Sequence, residues 1–457
     1  MAAMLSSRAK TGACVVALTL CATSGLFNAA SGAERFSRPE FRETGYEYPR
    51  NQHPSPPRAW HEAVDAALLI AALLIAAALS LRLRSRPGIV ALAFFCLAWF
   101  GFWRQGCVCP VGSVQNVVSS LAHSEFILPV GVLAFFMAPL VCALFFGRVF
   151  CSAVCPLGAV QELALVRPLA VPLWLDRPLR ALPWLLLCVA SLSTAIGAGF
   201  TICRLDPFVH FFRLAGSGEA LLTAVAALMV SAVIGRPYCR YLCPYGALLG
   251  LLSRAARWRT AIAPDGCIRC RLCEHACPYA AILPPEPATF RDAAEHSRER
   301  RILACCLAAV PLLFAAGAAV GYAGRHALAS GHPAVQLKAA LARSAEKRSA
   351  AQQERCDAFY QSNGDPEALA AAVEKIYRRA AIGSAFAGGI FGLIIAVGLI
   401  SITVRRKRVD YEAHSAWCFA CGRCYAVCPR SRAWALRSQP AKPPAAGAAG
   451  QSTAPHK

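Results

Sequence analysis

Charge is what this chain has least of. Only 16% of its 457 residues are Asp, Glu, Lys or Arg, where a soluble globular protein carries about 25%. The mean hydropathy is +0.46, and the apolar residues gather in runs long enough to span a bilayer. Together these exclude an ordinary soluble domain and predict an integral membrane protein. Acidic residues are scarcer still, 25 against 47 basic ones, for a formal net charge of +22. On a soluble chain that excess would suggest nucleic acid. Here no nucleic-acid fold signature accompanies it, and much of the Arg flanks apolar runs, where it sets orientation and meets anionic lipid headgroups. Membrane lipid is therefore an expected partner and nucleic acid is not. A catalytic triad and a phosphate loop are also missing, so nothing calls for a general base or a nucleophile. The chain reads as an electron-transfer component of an oxidoreductase system rather than a stand-alone enzyme.

Cysteine, in contrast, is abundant, with 23 residues. A secreted disulfide scaffold would be small and polar, and this chain is neither. Cys14, Cys21, Cys96, Cys142, Cys188, Cys305 and Cys306 lie in apolar stretches and read as small buried hydrophobes. Most of the others fall in short clusters beside Pro or Gly. Cys267, Cys270, Cys273 and Cys277, followed by Pro278, have the spacing C-x2-C-x2-C-x3-C-P. Cys418, Cys421, Cys424 and Cys428, followed by Pro429, repeat it. This is the pattern of a bacterial-type 2[4Fe–4S] ferredoxin, in which the fourth Cys of each run ligates the other cluster. One cluster is then expected on Cys267, Cys270, Cys273 and Cys428, and the other on Cys418, Cys421, Cys424 and Cys277. The two runs must meet in space although a long apolar segment separates them.

Three further turns are alike: G-C-V-C-P-V-G at 106–112, C-S-A-V-C-P-L-G at 151–158 and C-R-Y-L-C-P-Y-G at 239–246. In each, Pro opens a helix and Gly permits close backbone approach. The second and third begin with Gly147-Arg148 and Gly235-Arg236. Cys151, Cys155, Cys239 and Cys243 are two C-x3-C pairs from a probable internal repeat. They form a candidate membrane site for an additional iron–sulfur cluster, or for Cu(I) or Zn. Cys107, Cys109 and Cys203 form a candidate periplasmic metal site. His210 is a possible fourth ligand there, and a disulfide, with Cys356 as an alternative partner, is the competing reading.

Spans are expected at about 62–82, 87–103, 126–147, 182–202, 219–235, 302–324 and 382–404. Residues 1–33 resemble a signal peptide or signal anchor: Arg8 and Lys10, an apolar stretch, then Ser31-Gly32-Ala33. Residues 34–61 are a polar, Pro-rich periplasmic arm. If the chain starts outside, Arg82, Arg84, Arg86, Arg148, Arg236, Arg240, Arg405, Arg406 and Arg408 fall inside, as the positive-inside rule asks. Residues 62–253 then form a transmembrane region with the three Cys–Pro turns, and 254–300 the first ferredoxin half. Residues 301–404 form a transmembrane hairpin carrying a periplasmic helical loop at 325–380. That loop turns near Asn363-Gly364, and Asp365-Pro366-Glu367 caps a new helix. Residues 405–439 are the second ferredoxin half, and 440–457 a disordered tail rich in Ala and Pro. The fold class expected is a membrane α-helical bundle of about seven spans plus a signal peptide. It carries a cytoplasmic 2[4Fe–4S] ferredoxin-like domain split by a hairpin. The expected location is the bacterial inner membrane, multi-pass, with the N-terminus periplasmic after signal cleavage and the C-terminus cytoplasmic.

Residues 85–430 resemble the NosR/NapH family of membrane polyferredoxins. The likeness rests on the Gly-Arg-x-x-Cys-x3-Cys-Pro turns, on G-R-P-Y-C-R-Y-L-C-P-Y-G before the first ferredoxin run, and on C-F-A-C-G-R-C-Y-A-V-C-P at the end. It implies electron transfer between the membrane or quinone pool and periplasmic redox proteins. The NosR branch supports nitrous oxide reductase, the NapH type feeds periplasmic nitrate reductase, and a related branch reduces copper during oxidase assembly. Two departures stand out. NosR proteins carry a periplasmic domain with covalent FMN on a Ser/Thr-Gly-Ala-Thr motif. That motif is absent, and residues 34–60 are too short for the domain, so no covalent FMN is expected and a separate periplasmic flavoprotein is a candidate partner. The Cys107-x-Cys109-Pro110 turn also differs from the paired C-x3-C-P turns. The expected function is iron–sulfur electron transfer between a cytoplasmic donor or quinol and a periplasmic redox protein. The alternatives are a copper-reducing assembly factor and a quinol-oxidising subunit of a larger complex.

Overall fold

The computed structural model describes residues 59–106, 110–123, 126–200, 203, 206–213, 218–262, 266–285, 293–403 and 408–431. The signal peptide, the periplasmic arm, Cys107, Cys109 and the C-terminal tail lie outside them. Helix α1 (Ala59–Ala77) runs into a π-helical turn (Ala78–Arg82). Helix α2 (Arg86–Cys96) starts where the Ser85 hydroxyl accepts the Gly88 N–H at 3.2 Å, and Pro87 sits where its missing N–H costs nothing. A second π turn (Leu97–Trp103) ends α2, and a turn follows to Gly106, whose φ of +66° suits glycine. Then come α3 (Pro110–Ala122), α4 (Val130–Phe146), a third π turn (Phe150–Val154), α5 (Pro156–Ala164), α6 (Leu173–Leu179) and α7 (Leu182–Ala195). They are followed by α8 (Pro207–Arg213), α9 (Gly218–Val233), α10 (Pro237–Tyr241) and α11 (Pro244–Leu252).

Among the described residues, five helical stretches are long and apolar enough to cross a membrane: Trp60–Arg82, Arg86–Trp103, Trp174–Ala195, Ser297–Ala323 and Pro366–Ser401. Val130–Phe146 and Leu221–Val233 are apolar but shorter. All seven fall near the expected spans. The largest difference is at 382–404, where the helix begins at Pro366, and at 182–202 the helix stops at Ala195 and α8 forms separately. The outward apolar surface is large, with Leu312 70% and Val320 73% exposed. Such a surface calls for a lipid or protein cover.

Helices α13 (Ala293–Ala323) and α17 (Pro366–Thr403), of 31 and 38 residues, pair as a hairpin. Gly317 and Gly388 face each other so closely that a Cβ on either would strike the other's carbonyl. Small residues at such a seam let the backbones approach. The hairpin carries α14 (Arg325–Ala329), α15 (Pro333–Leu341) and α16 (Ala350–Gln361), which opens with a Ser349/Gln352 capping box. Asn363 turns with φ +49°, and Asp365 accepts the Glu367 N–H at 2.9 Å ahead of α17. Cys356 is fully buried with Leu337, Ala340 and Phe359, so packing rather than pairing accounts for it. The small-hydrophobe reading fits buried Cys96 and Cys142 but not Cys305, which is exposed on α13, nor half-buried Cys188 and Cys306. A hairpin packed along one narrow seam leaves most of α13 facing outward.

Either side of the hairpin the chain rejoins. Strand β1 (Ile282–Leu283) pairs antiparallel with β2 (Glu412–Ala413), Ile282 opposite Ala413. Helix α12 (Leu272–His275) packs on α18 (Arg423–Val427). Tyr279 and Phe419 meet edge to face at 4.9 Å. A two-residue ribbon is too short to hold alone; its setting against the helices supplies the rest.

Candidate iron–sulfur sites

The second and third Cys–Pro turns face each other and enclose a small cavity lined by Cys151, Cys155, Cys239 and Cys243. All four thiols are buried. Burial pushes Cys239 up to about 11, and the neighbouring Cys151 thiol adds to it, against the opposing charges of Arg236 and Arg148. Cys155 and Cys243 are held well above the ordinary thiol range, first by burial and then by the other thiols of the set. Cys155, Cys239 and Cys243 so placed resist ionisation until positive charge arrives, and bound iron would supply that. Hydrogen bonds to sulfur are already in place. The Gly246 N–H reaches Cys243 Sγ at 3.3 Å, and the Gly158 N–H supports Cys155 in the equivalent position. Gln161 donates to Cys239 Sγ at 3.3 Å and accepts the Tyr238 N–H at 3.1 Å.

The two arginines that open these turns cross over. Arg236, fully buried, donates to the Cys151 carbonyl and, at 3.2 Å, to that of Ser152. A Cβ on Gly158 would lie 3.3 Å from its Nη1. Arg148 stands over Gly246 in the same way, 3.0 Å from the position of a Cβ, and its Nη1 reaches the Ala416 carbonyl at 3.0 Å. Its guanidinium lies 4.4 Å from the Phe419 ring centre, and that of Arg236 lies 5.5 Å from it. Phe419 belongs to the second ferredoxin run. The membrane thiol set and that run therefore share both arginines.

Each ferredoxin run keeps company with the fourth Cys of the other. Cys273 is pushed up to about 11 by burial, opposed by the Glu274 N–H, and the thiols that add to it are Cys267, Cys428 and Cys270. Cys418 is pushed up to about 12 by burial, opposed by the Ala420 N–H, with Cys421 and Cys277 adding. Cys424 lies well above its usual range through burial and then Cys418, Cys421 and Cys277. The two groupings differ in exposure. Cys270 of the first is exposed, while in the second Cys424 is buried and Cys277, Cys418 and Cys421 are half-buried. The second run is clamped to the helices: Ser80 donates to the Ala420 carbonyl at 3.3 Å, Arg86 to that of Cys421 at 3.4 Å, and Arg180 stacks on Trp417 at 4.1 Å. Arg180 and Arg240, both paired with buried Asp176, hold the Tyr279 and Pro278 carbonyls that follow Cys277.

Glu162, a residue the motifs do not point to, ties these parts together. Its carboxylate meets Arg423 at 2.8 Å, Arg236 at 3.2 Å and Arg86 at 3.5 Å, and accepts the Tyr279 hydroxyl. Burial alone would push this carboxyl up, but the charges of Arg236 and Arg423 and the Tyr279 hydrogen bond outweigh it and hold it at about 2. The sequence signal was a lone carboxylate following an apolar Cys–Pro turn, since an acidic residue in apolar surroundings is seldom buried without a partner.

Of the first Cys–Pro turn the structure describes Pro110 onward. Pro110 and Val111 line the cavity of the four thiols, and Pro110 through Gln115 are buried. Cys203 lies against this turn: its thiol is 3.7 Å from Gln115 Oε1, and a Cβ on Gly112 would sit 3.4 Å from its sulfur. Gln115 accepts from the Cys203 thiol through its amide oxygen, whereas Gln161 donates its amide N–H to Cys239. Burial raises the Cys203 thiol, Asp206 adds to this and Arg213 opposes it. His210 acts on Asp206, whose carboxyl burial pushes up to about 6.

Among the described residues no three His, Cys, Asp or Glu close on a single metal ion. A cubane asks for a wider set, because each thiolate binds a different iron. Two buried donors beside these sets, Arg148 Nε and the Tyr425 hydroxyl, have no protein partner. Four buried thiols, N–H groups aimed at sulfur and clustered guanidinium charge suit an anionic iron–sulfur group.

A 4Fe-4S binding domain model matches residues 128–173 and 218–261, and a second 4Fe-4S binding domain model matches 260–283. The two stretches of the first contain the second and third turns respectively. The putative electron transport protein YccM of Escherichia coli is 31% identical over 191 residues, 37% of this chain and 52% of its own. Protein NirI of Paracoccus denitrificans is 31% identical over 214 residues, and the regulatory protein NosR of Pseudomonas aeruginosa 29% over 218. Each match covers 44% of this chain, with 31% of NirI and 30% of NosR. The matched segments give the chain 4Fe–4S binding domains, and the relatives support its resemblance to the NosR/NapH-type membrane ferredoxins. The chain spans about half of YccM and under a third of NirI and NosR. No solved structure matches it.

Proposed function

We propose that this chain is a membrane-bound conduit for single electrons between a cytoplasmic or quinol donor and a periplasmic redox protein. The observation that carries the reading is one buried guanidinium. Arg236 acts on Cys239 of the membrane thiol set and on Cys421 of the second ferredoxin run. Two sets of cluster-type thiols that meet at one side chain would exchange electrons across it, and Pro110 and Val111, which line the cavity of the first set, lead to Gly112, beside which Cys203 lies. Cys267, Cys270, Cys273 and Cys428 would hold one cluster, Cys418, Cys421, Cys424 and Cys277 a second, and Cys151, Cys155, Cys239 and Cys243 a third. A bound [4Fe–4S] cluster takes up and releases one electron at a potential set by charge, hydrogen bonds and exposure. The protein fixes these settings in order. Exposed Cys270 offers a donor its entry, the second run is held under arginines, and the third set is closed from water. Cys107, Cys109 and Cys203 would form the outer end. A relative named as an electron transport protein and another named as a ferredoxin-type protein for methylamine utilisation support this class of function.

The test is anaerobic purification with iron and sulfide analysis, EPR and a proteoliposome assay with a trapped acceptor. Three cubanes correspond to about twelve irons. About eight irons, with spectra unchanged by Cys239→Ser, would show the third set empty. Electron delivery to the trapped acceptor that survives loss of the third set would refute the conduit.

A further inference from the structure

We infer that Arg148 and Arg236 set the reduction potentials of two centres at once, the membrane thiol set and the second ferredoxin run. This rests on the cluster reading above. Sequence places each arginine three residues before the first Cys of its own turn. Structure sends each across to the Gly of the opposite turn, so the pair is symmetric about the four thiols. The guanidinium ends then continue outward to the second run. Arg148 bonds the Ala416 carbonyl and covers the Phe419 ring, and Arg236 lies beyond that ring and beside Tyr279. Both are buried, so little water screens their charge from either side. A guanidinium also keeps its charge at every accessible pH.

The physical consequence is common to both centres. Adding an electron makes a thiolate-ligated cluster more negative, and a fixed positive charge nearby favours that state. One charge facing two centres raises both potentials together, so it shifts them without opening a gap between them. The same charge standing between them softens the repulsion when both are reduced. The run at Cys267, Cys270 and Cys273, on the exposed side, has neither arginine among the groups that act on Cys273. Arg236 shares its charge with Glu162. Arg148 instead meets a carbonyl, a thiol and a ring, so Arg148 is the cleaner test.

The experiment is an EPR-monitored redox titration of the purified full chain, with signals assigned beforehand by Cys239→Ser and Cys424→Ser. Arg148→Gln should lower the reduced-to-oxidised ratio of both the membrane set and the second run about tenfold at fixed ambient potential. That equals about 59 mV for a one-electron couple. The exposed cluster should move less than threefold. Arg148→Lys, which keeps the charge and loses the fork, should return both ratios toward those of the unaltered protein. It also decides the matter if the Gln variant assembles poorly. Movement of one centre alone, equal movement of all three, or a Lys variant that shifts as far as Gln would overturn the inference. An unaltered protein without a cluster signal from Cys239 would instead sink the cluster reading itself.

Discussion

Replacing Glu162 with Gln keeps the size of the side chain and removes its charge. Three guanidinium groups, from Arg86, Arg236 and Arg423, would then face an amide that can satisfy them only in part. A carboxyl held at about 2 rather than its ordinary 4.5 corresponds to about 3 kcal/mol at neutral pH, at about 1.4 kcal/mol per pH unit. Breaking one partner of a buried ion pair costs about 3–5 kcal/mol in general, so the two estimates agree. Arg423 lies on the second ferredoxin run, while Arg236 and Glu162 belong to the helices that flank the membrane thiol set. The cost should therefore appear as release of that run. Amide hydrogen exchange across 408–431 should speed up about a hundredfold, as about 3 kcal/mol implies, while the hairpin 297–403 changes little. The sign with pH follows from the lowered carboxyl. Its contribution is complete above about pH 4.5 and fades as pH falls toward about 2. The unaltered chain should lose protection of 408–431 across that window, and the Gln variant should show no such step. Exchange at 408–431 that stays within threefold of the unaltered protein would refute the role given to Glu162.

Cys267→Ser and Cys428→Ser should each remove the same EPR signal, and Cys277→Ser should remove the one lost in Cys418→Ser; two different losses from Cys267 and Cys428 would contradict crossed ligation. Gly158→Ala places a methyl 2.9 Å from the Cys151 carbonyl and should cost about 1–3 kcal/mol by overpacking, read as faster iron loss from the membrane set on thermal challenge. Cys356→Ala should lower the melting temperature of the outer helices by removing a buried side chain and leave iron content unchanged. A drop in iron would contradict a packing role for Cys356.

Much of the outline was legible in residue order. Apolar runs of the right length marked the helices, because a bilayer-facing helix must be apolar almost throughout, and Asp365-Pro366 marked where α17 begins. The reach of α3 was not legible. A span followed by a polar turn says nothing of what the next helix packs on, and only the structure sets Pro110 and Val111 against the four thiols. Cys305 misled for a related reason: apolar surroundings in sequence do not say which side of a helix meets protein.

The sequence by itself determined the chemistry. Thiol spacing is local, and a C-x2-C-x2-C-x3-C-P run names its cofactor class before any fold is known. It also determined that the two runs must meet, since each needs the other's fourth Cys. Tertiary structure alone decided what surrounds those thiols. Arg148, Arg236 and Glu162 make contacts up to 268 residues away in the chain, and no local pattern encodes such partners. Their long side chains are fixed only when the helices pack, and in that dry interior their charges act on two thiol groups at once.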